Sequence, residues 1–138
     1  FNKRAKREMA QNPSDLRYTK DHEWARLLDD GIAEVGVTSY AVEQLGDVTL
    51  VDLPEAGSDV QAHERFGDIE SVKTVSELFA PVSGEIVEVN DELEGSPELV
   101  NEAPYDKGWM VRIKMNAPAE FESLMEPPGY EDFVSKIE

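Results

Sequence analysis

Lys73 stands out in this chain by residue type and by position. It is the only Lys or Arg between Arg65 and Lys107. Acidic residues share its stretch: Asp68, Glu70, Glu77, Glu85 and Glu88. Aliphatic residues before and after the lysine favour a strand, a tight turn and a second strand, so the pattern predicts that Lys73 stands at the tip of a β-hairpin. A lysine there is either a solvated turn residue or a group placed for chemistry, and the remaining sequence decides between the two.

Few other residues could do chemistry. The chain has no Cys and two His residues, so a thiol nucleophile and a zinc–thiolate site are excluded. His22 and Glu23 are adjacent and could serve acid–base chemistry, but no second cluster accompanies them. No phosphate-binding glycine loop and no metal-ligand spacing is found. The sequence therefore predicts a protein without a catalytic site of its own.

The charge of the chain is strongly acidic and unevenly spread. The 138 residues carry a net charge of −17, with 13 Lys and Arg against 30 Asp and Glu. Four of the cations stand in residues 1–11, which lack apolar periodicity. We expect residues 1–11 to be a mobile tail, either an added sequence or the end of an upstream extension, and residues 12–138 to form one domain.

This charge and composition restrict the partners. An acidic surface of this kind excludes nucleic acid, whose phosphates need clustered Lys and Arg. No apolar run approaches the roughly 20 residues that a membrane span needs. We expect a soluble monomer in the bacterial cytoplasm, with the mitochondrial matrix as the alternative.

Short alternating strands separated by Gly and Pro turns indicate a mainly β sandwich or flattened barrel with short helices. Thr38 or Ser39 is expected to cap a helix that Gly46 ends. In the strand predicted at 108–114, Met110, Arg112 and Lys114 should point to the side opposite Trp109, Val111 and Ile113. At the C-terminus we predict a helix over 118–125, a break at 127–129 and a final amphipathic helix.

Several segments together carry a family resemblance. They are residues 18–24 (Tyr-Thr-Lys-Asp-His-Glu-Trp), 36–41, 44–48, 51–57, 69–78 (Ile-Glu-Ser-Val-Lys-Thr-Val-Ser-Glu-Leu), 80–90, 96–105 and 108–109. In this order and spacing the chain resembles the H protein of the glycine cleavage system, a lipoyl-lysine carrier, along nearly all of residues 13–138. A lone Glu-Ser-Val-Lys would be a weak signal, but the whole series is specific.

The resemblance implies a barrel-sandwich hybrid of two antiparallel sheets, with lipoate amide-linked to Lys73. Glu70, Ser71 and Val72 would form the hairpin context that a lipoate ligase or transferase recognises. The implied partners are a pyridoxal-phosphate glycine decarboxylase, a tetrahydrofolate-dependent aminomethyltransferase and dihydrolipoamide dehydrogenase. The carrier would take an aminomethyl group from the first enzyme, deliver it to the second and be reoxidised by the third.

The resemblance also implies a cleft that shelters the loaded arm, whose end is cationic and open to hydrolysis. The aligned positions are Glu23, Ser39, Tyr40 and Glu77, with Asp21 and His22 nearby. At ~4 Å and an effective dielectric near 20, one carboxylate is worth a few kcal/mol to such a cation before desolvation. Two positions depart from the family pattern, which usually has Asp where this chain has Ser39 and Glu77.

Other carriers and roles remain as alternatives. A biotin carrier uses the same hairpin lysine, but that family usually has Met-Lys-Met at the tip, whereas this chain has Val72-Lys73-Thr74. The lipoyl domain of a 2-oxo-acid dehydrogenase usually shows Asp-Lys-Ala and is shorter. Two further alternatives remain. One is an unmodified acidic binding module, and the other is a relay that donates lipoate to other proteins.

Overall fold

A computed structural model of the chain describes residues 14–137. The strands are β1 (Leu16–Tyr18), β2 (Glu23–Leu27), β3 (Ile32–Val37), β4 (Val48–Asp52), β5 (Asp59–Val60), β6 (Arg65–Ser71), β7 (Val75–Phe79), β8 (Gly84–Val89) and β9 (Val111–Met115). The α-helices are α1 (Ser39–Leu45), α2 (Glu92–Gly95), α3 (Leu99–Glu102), α4 (Ala119–Glu122) and α5 (Pro127–Ile137), with a 3₁₀ turn at Asp29–Gly31. The tail predicted at residues 1–11 lies outside the described residues.

Two antiparallel sheets face each other across the main core. One has six strands in the order β1-β2-β3-β9-β8-β5, and the other has three in the order β4-β6-β7. Buried aliphatic side chains from both sheets form one cluster, with Val35, Ile86 and Ile113 from the larger sheet and Ile69 and Leu78 from the smaller. This arrangement confirms the predicted mainly β fold of two antiparallel sheets with short helices.

A second apolar cluster attaches the C-terminal helix to the outer end of the larger sheet. Tyr130 and Val134 of α5 pack with Leu16, Tyr18 and Trp24. The rings of Tyr18 and Tyr130 stack with centroids 4.6 Å apart. No helix within residues 14–137 has both the length and the apolar character that crossing a membrane requires.

Two local predictions at the C-terminal side were wrong. Helix α5 begins at Pro127 instead of after a break at 127–129, because proline is accepted in a first helical turn, where no intrahelical N–H bond is needed. The strand predicted at 108–114 covers Val111–Met115, and Met110, expected within it on the side of Arg112 and Lys114, is fully buried before the strand begins. The strand starts at Val111, so strand alternation does not extend back to Met110.

Glu34 of β3 is a buried carboxylate with two cationic partners. Arg26 Nη1 donates to Glu34 Oε1 at 2.8 Å, and Arg112 Nη2 and Nε donate to Oε2 at 2.7 and 3.0 Å. The guanidinium of Arg26 lies over the Trp24 ring, and that of Arg112 lies over the Trp109 ring. The hydrogen bonds and charges of Glu34 are therefore satisfied within the larger sheet.

Candidate functional site

The lysine stands on a short, well-braced turn. Strands β6 and β7 leave three residues, Val72, Lys73 and Thr74, to join them. Ser71 N–H donates to Thr74 O at 2.8 Å, and Ser71 Oγ accepts from the N–H groups of Lys73 and Thr74, both at 3.2 Å. Val72 N–H donates to Asp47 O at 3.1 Å, which ties the turn to the loop after α1. The structure thus has the hairpin with Lys73 at its tip that the sequence predicted.

The Lys73 side chain lies beside Gly46, which caps the C-terminal end of α1 with φ 78°. A Cβ placed on Gly46 would stand 3.2 Å from Lys73 Cε and 3.7 Å from Nζ. The missing side chain therefore leaves the space that the lysine stem occupies. Because Leu45 and Gln44 precede this glycine and line a cleft, the stem starts at the rim of that cleft. These residues fit an amide-linked arm, since the amine is exposed and its stem has room.

Around the turn, apolar side chains are exposed. Val72 and Val75 are 68% and 62% exposed. Glu70 is half-buried and pairs across the smaller sheet with Val75 on one side and Leu50 on the other. The three positions predicted as hairpin context, Glu70, Ser71 and Val72, therefore lie at the end of β6 and in the turn that carries Lys73.

A cleft of about 360 Å³ opens next to the hairpin. Its lining comes from the loop before β2, from α1, from the start of β7 and from the core beneath them. The lining residues are Asp21, His22, Glu23, Val37, Tyr40, Ala41, Gln44, Leu45, Ile69, Thr74, Val75, Ser76, Glu77 and Leu78. The smaller sheet and the larger sheet thus both contribute walls to this cleft.

Glu23 is the buried acid of the cleft, with 2% of its surface exposed. Thr19 Oγ donates to Glu23 Oε1 at 2.8 Å, and the backbone N–H of Phe79 donates to Oε2 at 3.2 Å. The Thr19 hydroxyl is held as a donor because its oxygen accepts from the N–H groups of Asp21 and Glu23. The carboxyl group is therefore fixed in place by two donors from different elements.

Burial raises the pKa of Glu23 to about 8, although the two hydrogen bonds act in the opposite direction. No Lys, Arg or His within residues 14–137 forms an ion pair with it. A buried carboxyl group without a counter-ion gains most when a cation arrives, because the charged form then acquires a partner. The cleft can therefore host a small cation at Glu23.

The other predicted cleft residues divide into two groups. Tyr40 and Glu77 line the cleft, as do Asp21 and His22. Glu77 is exposed, and its carboxylate lies 3.7 Å from Arg65 Nε. Ser39 is not part of the lining. It is buried in the first turn of α1, where its N–H donates to Tyr105 Oη.

Sequence reasoning missed Thr19, which orients Glu23, and Gln44, which lines the cleft from α1. Thr19 stands four residues before Glu23, a spacing that could have suggested a side-chain contact across the loop. Gln44 lies one helical turn after Tyr40 and so shares its face of α1, which could have identified it.

A larger depression, about 540 Å³, lies beside β4 and is lined by Leu50 to Ala56, Val89 to Asp91 and Glu94. No residue of the 72–74 turn contributes to it. The smaller cleft is the better candidate site because it adjoins Lys73 and holds the buried Glu23. Among residues 14–137 no cluster of His, Asp and Glu is arranged to hold a metal ion.

The family model for the glycine cleavage H-protein matches residues 16–137. The chain belongs to this family. A glycine cleavage system H protein of Staphylococcus carnosus is 48% identical over 124 residues, covering 90% of this chain and 98% of the relative. One of Geobacillus kaustophilus is 50% identical over 124 residues, covering 90% and 97%.

A solved structure agrees with these relatives. The crystal structure of a glycine cleavage system H protein from Mycobacterium marinum superposes with a TM-score of 0.80 at 40% identity, covering 91% of this chain and 98% of that one. The H-protein family comprises lipoate carriers of the glycine cleavage system, so this chain has a carrier role in that system. The predicted resemblance is confirmed.

Proposed function

We propose that Lys73 carries lipoate through an amide bond and that this chain moves the aminomethyl group of glycine between enzymes. The exposed lysine on a braced hairpin turn supports the assignment most directly. A lipoyl-lysine arm has about ten single bonds and reaches on the order of 14 Å from the backbone. Held at a fixed tip, such an arm can enter the concave sites of other proteins.

Lys73 would hold lipoate through its amide, and the disulfide of the attached group would supply the sulfur that carries the aminomethyl group once the sulfur–sulfur bond has opened. The partners we assign to loading, unloading and reoxidation are a pyridoxal-phosphate glycine decarboxylase, a tetrahydrofolate-dependent aminomethyltransferase and dihydrolipoamide dehydrogenase. This chain contributes no catalytic group to those steps. Its residues present the arm and shelter the cargo. Glu70, Ser71 and Val72, which lead into the lysine, are the contacts we assign to the lipoate ligase or transferase.

Between enzymes, the cationic end of the loaded arm rests in the cleft at Glu23. The support for this part is the burial of Glu23 and its two donors, together with the absence of an ion pair to it within residues 14–137. Tyr40 and Glu77 line the same cleft and would lie near the cargo. Exclusion of water there would slow hydrolysis of the aminomethyl group.

The proposal extends to the setting of the protein. We take residues 12–138 as one lipoyl-carrier domain that works as a monomer. The similar proteins named above are bacterial, and we therefore assign the bacterial cytoplasm.

Intact mass spectrometry tests the attachment site. Protein produced in cells with an active lipoate pathway should show a lipoyl-sized mass increment that disappears in Lys73→Arg. Lys107→Arg, at an exposed lysine outside the hairpin, is the matched control and should keep the increment. A biotin-sized increment, or an unmodified protein despite an active ligase, would contradict the proposal.

A further inference from the structure

The hydroxyl of Tyr130 bonds to two segments that border the cleft. Tyr130 belongs to α5, which contributes no residue to the lining. Its Oη is 2.9 Å from His22 Nδ1 and 2.7 Å from Thr38 Oγ. The residue is fully buried, and stacking against Tyr18 fixes its ring. One hydroxyl on the C-terminal helix thus joins two segments more than 90 residues away in sequence.

These two segments adjoin each other at the cleft. His22 lines it from the loop before β2. Thr38 is the N-cap of α1, and its Oγ accepts from Ala41 N–H at 3.3 Å, so it fixes the start of the helix that carries Tyr40 and Gln44. Thr38 N–H also donates to His22 O at 2.9 Å. The hydroxyl and this backbone bond together fix the His22 loop against the start of α1.

His22 needs such support. Its backbone has φ 70°, a left-handed conformation that costs a non-glycine residue free energy. Its ring packs against Tyr40 with centroids 4.6 Å apart and against Phe133 of α5 at 5.9 Å. Burial lowers the pKa of His22 below its ordinary 6.5, against the opposing effect of Asp21. The imidazole is therefore neutral at pH 7, with Nδ1 engaged at Tyr130.

We propose that Tyr130 is a positioning residue for the cleft: its hydroxyl holds the His22 ring and, through Thr38, the start of α1. This inference rests on the proposed function, in which the loaded arm docks in that cleft. The C-terminal helix then has a role beyond covering the sheet, because it determines the shape of the surface that receives the cargo.

The test compares Tyr130→Phe with wild type in the lipoylated, aminomethyl-loaded protein. Phenylalanine keeps the stacked ring and removes the hydroxyl. The rate of aminomethyl loss should rise roughly threefold to tenfold, as expected for losing a buried hydrogen bond to each segment. Val134→Ala is the matched control, because it loosens the same helix by removing buried packing and leaves the hydroxyl in place. It should keep the wild-type rate of loss.

Glu23→Gln serves as the reference in the same assay. Faster loss in Glu23→Gln with an unchanged rate in Tyr130→Phe would overturn the role of Tyr130 and keep the docking cleft. Equal acceleration in Tyr130→Phe and Val134→Ala would also overturn it, because helix stability would then explain both. An unchanged rate in Glu23→Gln would refute docking itself and the inference with it.

A second measurement uses the unmodified wild-type protein, so it depends neither on lipoate attachment nor on whether a variant folds. In the unmodified wild-type protein, imidazole nitrogen-15 spectra should show His22 as a single neutral tautomer that titrates below pH 6.5. If the spectra instead show an ordinary pKa and the mixture of tautomers found in free imidazole, they would contradict a His22 ring held by Tyr130. If Tyr130→Phe folds, its His22 signals should shift toward that mixture, whereas those of Val134→Ala should not.

Discussion

Glu23 and Glu34 are buried carboxylates on adjacent strands of the same sheet, and they differ in what surrounds them. Their exposed fractions are 2% and 6%. Glu34 receives hydrogen bonds from two guanidinium groups, each resting on a tryptophan ring. Glu23 receives one hydroxyl and one backbone N–H, and it forms no ion pair among the described residues. The first carboxylate has its cations built in, whereas the second is placed at the wall of an open cleft.

This difference separates a structural acid from a binding acid. A buried charge with its partners present contributes to the fold, and removing one partner is costly. A buried acid without a cation is a poor stabilising element, because burial favours its neutral form. Glu23 thus makes sense as a site for a cation that arrives with the arm. The comparison predicts opposite phenotypes for substitution of the two residues.

Glu34→Gln should cause the largest loss of stability. The substitution leaves Arg26 and Arg112 with a weaker, neutral partner. Breaking a buried ion pair costs 3–5 kcal/mol in general, and because these arginines are about one-quarter exposed we expect a loss of about 2–3 kcal/mol in the free energy of unfolding. Urea denaturation measures it. A loss below about 0.5 kcal/mol would remove the structural role assigned to Glu34.

Glu23→Gln should change the pH dependence of stability. Folded Glu23 keeps its proton up to about pH 8, whereas the unfolded residue loses it near 4.5. Between these values the folded state binds more protons, so the stability from Glu23 is complete below pH 4.5 and is lost as pH rises toward 8. From pH 5 to 8, wild type should lose stability relative to Glu23→Gln by on the order of 1 kcal/mol per pH unit.

The difference between the two proteins at each pH is the quantity to measure, because the other titrating groups cancel. A constant difference across this range would show that Glu23 titrates normally and would weaken the contrast with Glu34.

Glu77→Gln should have the smallest effect on stability. Its carboxylate is exposed and lies 3.7 Å from Arg65, whose guanidinium is also bound to Asp68. Exposed ion pairs of this kind contribute little. The urea midpoint should be indistinguishable from that of wild type. A clear decrease would show that Glu77 belongs with Glu34 as a structural acid and would remove it from the proposed cleft.

Local patterns in the sequence were enough to predict the strands and the hairpin that carries Lys73. Aliphatic residues on both sides of Lys73 predicted strands that pair as β6 and β7. Gly46 was correctly expected to end α1, where its φ of 78° suits a residue without a side chain. These features depend on a few neighbouring residues, so the sequence carries them directly.

Features that depend on distant contacts were not predictable in the same way. Tyr130 lies in the segment predicted only as a final amphipathic helix, and its hydrogen bonds reach residues about 100 positions earlier. Ser39 was assigned to the cleft by alignment, but its first-turn position on α1 takes it into the interior. Met110 was expected within its strand, on the side of Arg112 and Lys114, but it is buried where the chain enters β9. Each depends on how two elements pack, which periodicity alone does not encode.

The central claim is that Glu23 serves the cargo and Glu34 serves the fold. The most direct measurement is the first-order rate of aminomethyl loss from the loaded, lipoylated protein in wild type, Glu23→Gln and Glu34→Gln, under conditions where all three are folded. We expect loss to be at least about tenfold faster in Glu23→Gln, which corresponds to about 1.4 kcal/mol of lost interaction, and unchanged in Glu34→Gln. Equal rates in wild type and Glu23→Gln, or acceleration in Glu34→Gln alone, would contradict the account.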